Sequence, residues 1–191
     1  GLAVSVSLLE RRATMRLPGS LCFVPIVLTL VVCLVSAVPA DELAQWIWSP
    51  DPPREDGSSS ACHFRKAFQV PTVRKGTISI ATSDRYELYV NGRRVSSGGS
   101  SGQLEHHEIS RFLTRGRNLV AIRVEGNDST SAGLVAHIQV LDQTRQTHQF
   151  LTDDTWVTSL SPLPFWYTPL YNDGRWQAAQ QLGAWELNSS G

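Results

Sequence analysis

The chain has 191 residues, and its 17 Lys and Arg offset its 17 Asp and Glu, giving a formal net charge of zero. Acids and bases are mixed along it, with no basic stripe, so a nucleic-acid partner is not expected. Of its 3 cysteines, Cys22 and Cys33 lie in the first apolar block, which leaves Cys62 alone and excludes an internal disulfide framework.

Residues 21–37 are almost wholly apolar, follow Arg16, and give way to small residues before Asp41-Glu42. That is the layout of a secretory signal peptide. Two cleavage triplets fit, Val35-Ser36-Ala37 and Val38-Pro39-Ala40; the second is preferred, because a cut after Ala37 places Pro39 next to the scissile bond. An uncleaved anchor is the alternative, weakened by Pro25 and by a length at the short end for a span. The single methionine, Met15, stands where a signal peptide would start. The expected organisation is a non-native upstream extension at 1–14, a signal peptide at 15–40, one β-sandwich domain at 41–187 and a tail at 188–191. The expected location is secreted, periplasmic or at the cell surface. Membrane contact is expected only through an uncleaved signal segment.

Past the signal, Trp46-Ile47-Trp48 reads as a first strand, followed by a loop rich in Pro, Gly and Ser. Residues 63–70 alternate and stop at Pro71. Residues 76–82 alternate again, with Ile78 and Ile80 on one face. Asp84 opens the next element and Arg85 follows it, exposed by expectation. Residues 86–95 spell a hairpin, with Tyr86, Leu88 and Val90 alternating against Glu87 and Tyr89. Asn91-Gly92 supplies the two left-handed positions of a type I′ turn. A two-residue turn pairs Val90 with Arg93, Tyr89 with Arg94 and Leu88 with Val95. Leu88 and Val95 can then go inward, and Tyr89 can stack on Arg94.

A Gly/Ser loop at 96–102 leads to a short mixed segment at 104–113 and a turn at Arg115-Gly116-Arg117-Asn118. Two alternating strands follow at 119–125 and 133–140, then a turn and a short strand ending near Leu151. The aromatic-rich remainder includes the one helix expected, a turn or two at 176–182 capped by Gly183. Short β-branched strands between turn residues are the pattern of an all-β antiparallel sandwich with one solvated face per sheet.

Several of these pieces match a known pattern in order. They are Trp46-Ile47-Trp48; Phe64-Arg65-Lys66-Ala67-Phe68; residues 86–92; residues 113–124; Ala132-Gly133-Leu134; Thr152-Asp153-Asp154-Thr155-Trp156; and Tyr171-Asn172-Asp173-Gly174-Arg175-Trp176-Gln177-Ala178-Ala179. Together they resemble the N-terminal sugar-binding-like jelly-roll domains of α-L-rhamnosidases and β-galactosidase relatives. The resemblance implies a galactose-binding-domain-like jelly-roll β-sandwich, non-catalytic, attached to something larger in a secreted protein. Two organisations follow from it, a free-standing module or a piece whose downstream domain is not present in this chain. Some similar modules stand before haem-carrying domains, but Cys-x-x-Cys-His is absent here and no cofactor is expected.

No catalytic constellation emerges. Glycoside hydrolysis needs two carboxylates facing one bond, whereas the acids here sit in turns (Asp153, Asp154, Asp173) or on outer strand faces (Glu87, Glu125). His106-His107 between Glu105 and Glu108 could suggest a metal, but adjacent strand residues point to opposite faces. His63, His137 and His148 read as lone residues on outward faces, and no metal site is expected. Cys62 reads as a buried, inert thiol.

A sugar site asks for aromatic faces beside fixed polar groups. Trp46, Trp48, Trp156 and Trp176 read as packing residues. Trp166 and Tyr167, between prolines in an irregular loop, serve either as a stacking platform or as loop packing. Asp84 and Arg85 complete the candidate ligand-binding set, with Asp84 equally explained as a local cap and Asn91 explained by its turn. Two functions follow. One is a carbohydrate-binding accessory module that concentrates a partner domain on polysaccharide. The other is a structural or protein-interaction sandwich with no sugar ligand. Exposure or burial of Trp166 and Tyr167 discriminates them.

Overall fold

The computed structural model describes residues 43–52, 61–99, 102–126 and 132–185. The signal segment, the upstream extension, the tail and Asn127-Asp128 lie outside the described residues.

The described residues form two antiparallel sheets and almost no helix. The strands are β1 (Gln45–Trp48), β2 (Cys62–Val70), β3 (Lys75–Thr82), β4 (Tyr86–Val90), β5 (Arg93–Gly98), β6 (Glu105–Glu108), β7 (Gly116–Val124), β8 (Leu134–Leu141), β9 (Thr147–Leu151), β10 (Val157–Ser159), β11 (Gln177–Ala178) and β12 (Gln180–Ala184). A single 3-10 turn spans Ser110–Phe112. The first sheet runs β12-β1-β8-β3-β6, with β9 also pairing β8; the second runs β11-β10-β2-β7-β4-β5.

Alternation places the core between the sheets. Phe64, Phe68, Leu88, Val90, Val120, Ile122 and Val124 from the second sheet meet Ile47, Ile78, Ile80, Leu134, Ile138 and Val140 from the first. This is the arrangement of a β-sandwich. Trp156 is fully buried in the same core, and its indole N–H donates to the Leu151 carbonyl at 2.8 Å, so its one polar atom is satisfied. Cys62 is buried, and burial pushes its thiol pKa up, which keeps it protonated and inert.

Two local expectations are corrected. Residues 176–182 are not helical: β11 pairs with β10 and β12 pairs with β1. The two open sheet edges take the backbone hydrogen bonds that a helix would have kept to itself, and Gln180, Gln181 and Leu182 are all exposed. Gly183, at φ 148°, serves the irregular β1–β12 pairing opposite Trp46 and caps nothing.

The hairpin turn is as expected, with Asn91 at φ 50° and Gly92 at φ 82°. Its register holds for Val90–Arg93 and Tyr89–Arg94 and then shifts, so Leu88 faces Ser96 and not Val95. The bulge absorbs Val95, which stays half-buried against the core.

Asn91 does more than turn. Its amide N–H groups donate to the Phe112 carbonyl (2.9 Å) and to Asn118 Oδ1 (2.8 Å), and its Oδ1 accepts the Leu119 N–H (2.8 Å). The turn is thereby tied to β7 and to the 3-10 segment.

Candidate functional site

The outer face of the second sheet carries the site. Register aligns Ser97, Glu87, Arg123, His63 and Ser159 in one row across β5, β4, β7, β2 and β10. A neighbouring row holds Arg94, Tyr89, Ala121, Arg65 and Val157. Ala121, between Tyr89 and Arg65, is small and buried, which leaves space for large rings above the sheet.

Residues 160–176 fill that space. Arg65, only 1% exposed, organises them. Its Nε–H donates to Asp173 Oδ2 at 2.8 Å, its Nη1 donates to the carbonyls of Trp166 and Thr168, and its Nη2 reaches the Tyr171 carbonyl at 3.4 Å. The guanidinium also lies over the rings of Tyr171 (5.3 Å) and Trp176 (5.8 Å). One buried cation thus gathers carbonyls that would otherwise lack partners.

Trp166 is 8% exposed, and the stacking platform that its loop position suggested is not open to solvent. Its ring meets His63 edge-on at 4.7 Å, Tyr89 at 5.7 Å and Trp176 at 6.4 Å. Tyr167 is half-buried and stacks on Tyr89 with centroids 4.6 Å apart and planes 18° apart. Tyr89 therefore stacks on Tyr167, and Arg94 goes instead to Glu87. His63 is not a lone outward histidine either. Burial under Trp166 lowers its pKa to about 4, and its Nδ1–H donates to the Ser159 carbonyl at 3.2 Å.

Beside this aromatic cluster lies an open cleft of about 370 Å³, lined by Arg85, Glu87, Arg94, Arg123 and Glu125 together with Tyr86 and residues 97–99. Glu87 accepts from Arg94 Nη2 (3.3 Å) and from the Tyr89 hydroxyl (3.0 Å), while Glu125 accepts from Arg123 Nη1 at 3.0 Å. Arg85 sits at the edge, its carbonyl receiving the Glu125 N–H at 2.8 Å. Of the four sequence candidates, Arg85 lines the cleft. Trp166 and Tyr167 brace its Tyr89 side, and Asp84 lies in the adjoining bend, where its carbonyl accepts the Thr82 hydroxyl.

Gly98 and Gly99 form a bare backbone wall. A Cβ on Gly99, whose φ is 90°, would come within 2.2 Å of the Asp84 carbonyl oxygen, and one on Gly98 within 2.3 Å of the Glu105 carboxylate. Behind the wall Glu105 accepts the Gly99 N–H (2.8 Å) and the Tyr86 O–H (2.8 Å), and the Tyr86 oxygen receives the His107 Nε2–H. Burial raises the Tyr86 pKa and lowers that of His107, so both are neutral in this network. His106, on the other face of β6, bonds Ser79 at 2.7 Å. His137 and His148 are likewise engaged, with Gln149 (2.8 Å) and with Asp142 (3.0 Å).

Sequence reading placed Glu87 and Glu125 on outer faces but did not assemble Arg94, Arg123 and the two acids into one site. Alternation from Tyr89 and the two-residue turn put Glu87 and Arg94 on one face. No local pattern announces that β7 lies against β4.

No protein-family model and no curated protein sequence matches the chain. Solved structures share its fold. The α-L-rhamnosidase of Streptomyces avermitilis, solved with L-rhamnose, superposes with a TM-score of 0.66 at 21% identity, over 74% of this chain and 15% of that one. The Pleurotus ostreatus lectin, solved with GalNAc, gives a TM-score of 0.65 at 29% identity, over 74% of this chain and 44% of the lectin. The GH78 family rhamnosidase of Bacillus sp. GL1 gives 0.63 at 23% identity, over 76% and 19%. The chain spans less than half the length of each. It carries a galactose-binding-like all-β module that resembles rhamnosidase domains.

Proposed function

We propose that the chain is a non-catalytic carbohydrate-binding module of the jelly-roll type, an accessory part of a larger exported protein, and that sugar binds in the β4–β5–β7 cleft. The observation that carries this reading is the cleft's composition. Guanidinium and carboxylate groups form planar forks that take vicinal hydroxyls in pairs, and here they stand beside a stacked tyrosine pair on a rigid sheet. The likeness to a lectin supports the same class. On this reading residues 15–40 are the export signal, cleaved near Ala40, and the module works outside the cytoplasm by raising the local concentration of its partner on glycan.

Glu87 and Glu125 share the cleft, which is the first requirement of a glycosidase. Each, however, is engaged by an arginine, Glu87 at 3.3 Å from Arg94 and Glu125 at 3.0 Å from Arg123, and is partly open to solvent, without the apolar pocket in which a proton-donating acid is held. Binding without hydrolysis is the chemistry this set supports.

The test is titration of the folded module with a panel of mono- and oligosaccharides, alongside a screen of chromogenic glycosides. Saturable binding that Arg123→Ala abolishes supports the reading. No binding of any glycan at about 10 mM overturns it, and turnover of a glycoside overturns its non-catalytic part.

The burial of Trp166 favours the second reading, a structural or protein-interaction sandwich, and that reading has a further observation of its own. Leu163, Phe165 and Leu170 are 71%, 67% and 97% exposed on the 160–176 loop. Phe165 is also held at φ 63°, where its carbonyl takes the Thr168 N–H at 3.0 Å. Exposed apolar side chains on a pinned loop suit packing against a neighbouring domain of the same larger protein. Phe165→Asp would then weaken that association and leave sugar titrations unchanged.

A further inference from the structure

Among the described residues the charges of the cleft do not balance. Three guanidiniums, those of Arg85, Arg94 and Arg123, face two carboxylates, those of Glu87 and Glu125. Arg94 is paired with Glu87 and Arg123 with Glu125. Glu87 also receives the Tyr89 hydroxyl, so it is fully engaged. Arg85 has no carboxylate partner among the described residues, and its side chain is exposed at the cleft edge.

The nearby groups among the described residues do not cancel this surplus. Glu105 lies behind the Gly98–Gly99 wall and is held there by Gly99 and Tyr86. His63, opposite Arg123 on β2, is buried and neutral at pH 7. Asp84 does not line the cleft. The glycine wall presents no side chain, so a ring can lie against it with its substituents toward the arginines.

We propose that this cleft selects sugars that carry a negative charge, as a ring carboxylate or a sulfate ester, over their neutral counterparts, with Arg85 receiving the anion. A neutral sugar leaves the third guanidinium without a counterpart. A carboxylate or sulfate presents planar or near-planar oxygen pairs that fit its fork, and such charge-assisted hydrogen bonds are about twice as strong as neutral ones. The inference rests on the cleft being the sugar site.

The experiment compares matched pairs: galactose with galacturonate, and N-acetylgalactosamine with its 6-sulfate. Each is titrated into the wild-type module, Arg85→Gln and Arg85→Lys at low ionic strength and at about 0.5 M NaCl. The acidic member of at least one pair is expected to bind about tenfold tighter. Arg85→Gln should bring that ratio to within about twofold, Arg85→Lys should keep part of it, and salt should shrink it. Preference in one pair only identifies the anion as carboxylate or sulfate. Equal binding of acidic and neutral sugars overturns the inference while the sugar-binding reading stands. A preference that survives in Arg85→Gln overturns the assignment to Arg85. Binding of no sugar at all removes both.

Discussion

The hairpin of β4 and β5 and the loop of residues 160–176 sit side by side on one face of the second sheet, yet they are held in place by different means. The hairpin is specified locally: alternation and the Asn91-Gly92 turn decide its shape within a dozen residues. The loop has no regular pairing of its own. Its conformation comes from Arg65, whose guanidinium binds residues a hundred positions downstream. The two meet where Tyr89 stacks on Tyr167. A site assembled this way inherits rigidity from the hairpin and dependence on one distant side chain from the loop.

Removing that side chain is the most severe test. Arg65→Ala strands the carbonyls of Trp166, Thr168 and Tyr171 and leaves Asp173 unpaired. Breaking a buried, hydrogen-bonded ion pair by deleting one partner costs about 4 kcal/mol. Urea unfolding should show that loss, and Trp166 emission should shift to the red before the global transition. Amide exchange should rise in residues 160–176 while β4 keeps its protection. Equal loss of protection in both regions would break the contrast between them.

The hairpin can be challenged from its turn. Asn91→Ala removes three side-chain hydrogen bonds to Phe112, Asn118 and Leu119, and puts a side chain with no such bonds in a left-handed position. Orphaning those backbone groups and straining the turn should cost about 3 kcal/mol. Asn91→Gly, which relieves the strain but not the lost bonds, should recover roughly 1 kcal/mol of it. If both variants cost the same, the turn geometry contributes nothing and the tie to β7 is the whole effect.

Acid should loosen the loop first. His63 seats Trp166, and its folded pKa of about 4 lies below the ordinary 6.5. The unfolded chain therefore binds the proton more readily, so this stabilisation is full above pH 6.5 and is lost as pH falls toward about 4. The loss is about 3 kcal/mol over that window, and His107, also lowered by burial, adds in the same direction. Asp142 acts lower: hydrogen bonds from Thr144 and His148 hold its carboxyl at about 2 against an ordinary 3.8, so its contribution disappears only as pH drops through that range. Urea midpoints measured from pH 7 to about pH 2 should fall in these two windows, and His63→Gln should flatten the upper one. An unchanged upper slope would remove His63 from the loop's seat.

Legibility followed the same division. The strand boundaries, the type I′ turn and the alternating core residues could be read because each depends on neighbours in sequence. The 176–182 segment was misread because its backbone partners are two sheet edges, β10 and β1, that no local pattern names. Val95 was misplaced because a bulge costs little and leaves no sequence mark. Trp166 and Tyr167 stand out in sequence as a pair in an irregular loop, but their packing depends on Arg65, which in sequence is simply the polar position of an alternating strand. Arg85 could be singled out by position alone. Its neighbours Arg123 and Glu125 could not, since the pairing of β4 with β7 joins residues more than thirty positions apart.

The smallest effect on stability should accompany a clear functional one. Arg94 is 56% exposed and its ion pair with Glu87 spans 3.3 Å, so Arg94→Gln should change stability by no more than about 0.5 kcal/mol. It nevertheless frees one oxygen of Glu87 and removes one fork from the cleft, which should weaken sugar binding about tenfold. Arg65→Ala should also weaken binding, but only in proportion to the fraction of molecules whose loop has come away, and so with a steep temperature dependence. Titration calorimetry at two temperatures separates the two. A temperature-independent loss in Arg94→Gln beside a temperature-dependent one in Arg65→Ala assigns contact to the hairpin and support to the loop. If the two variants respond alike, the cleft owes its shape to the loop as much as to the strands that line it.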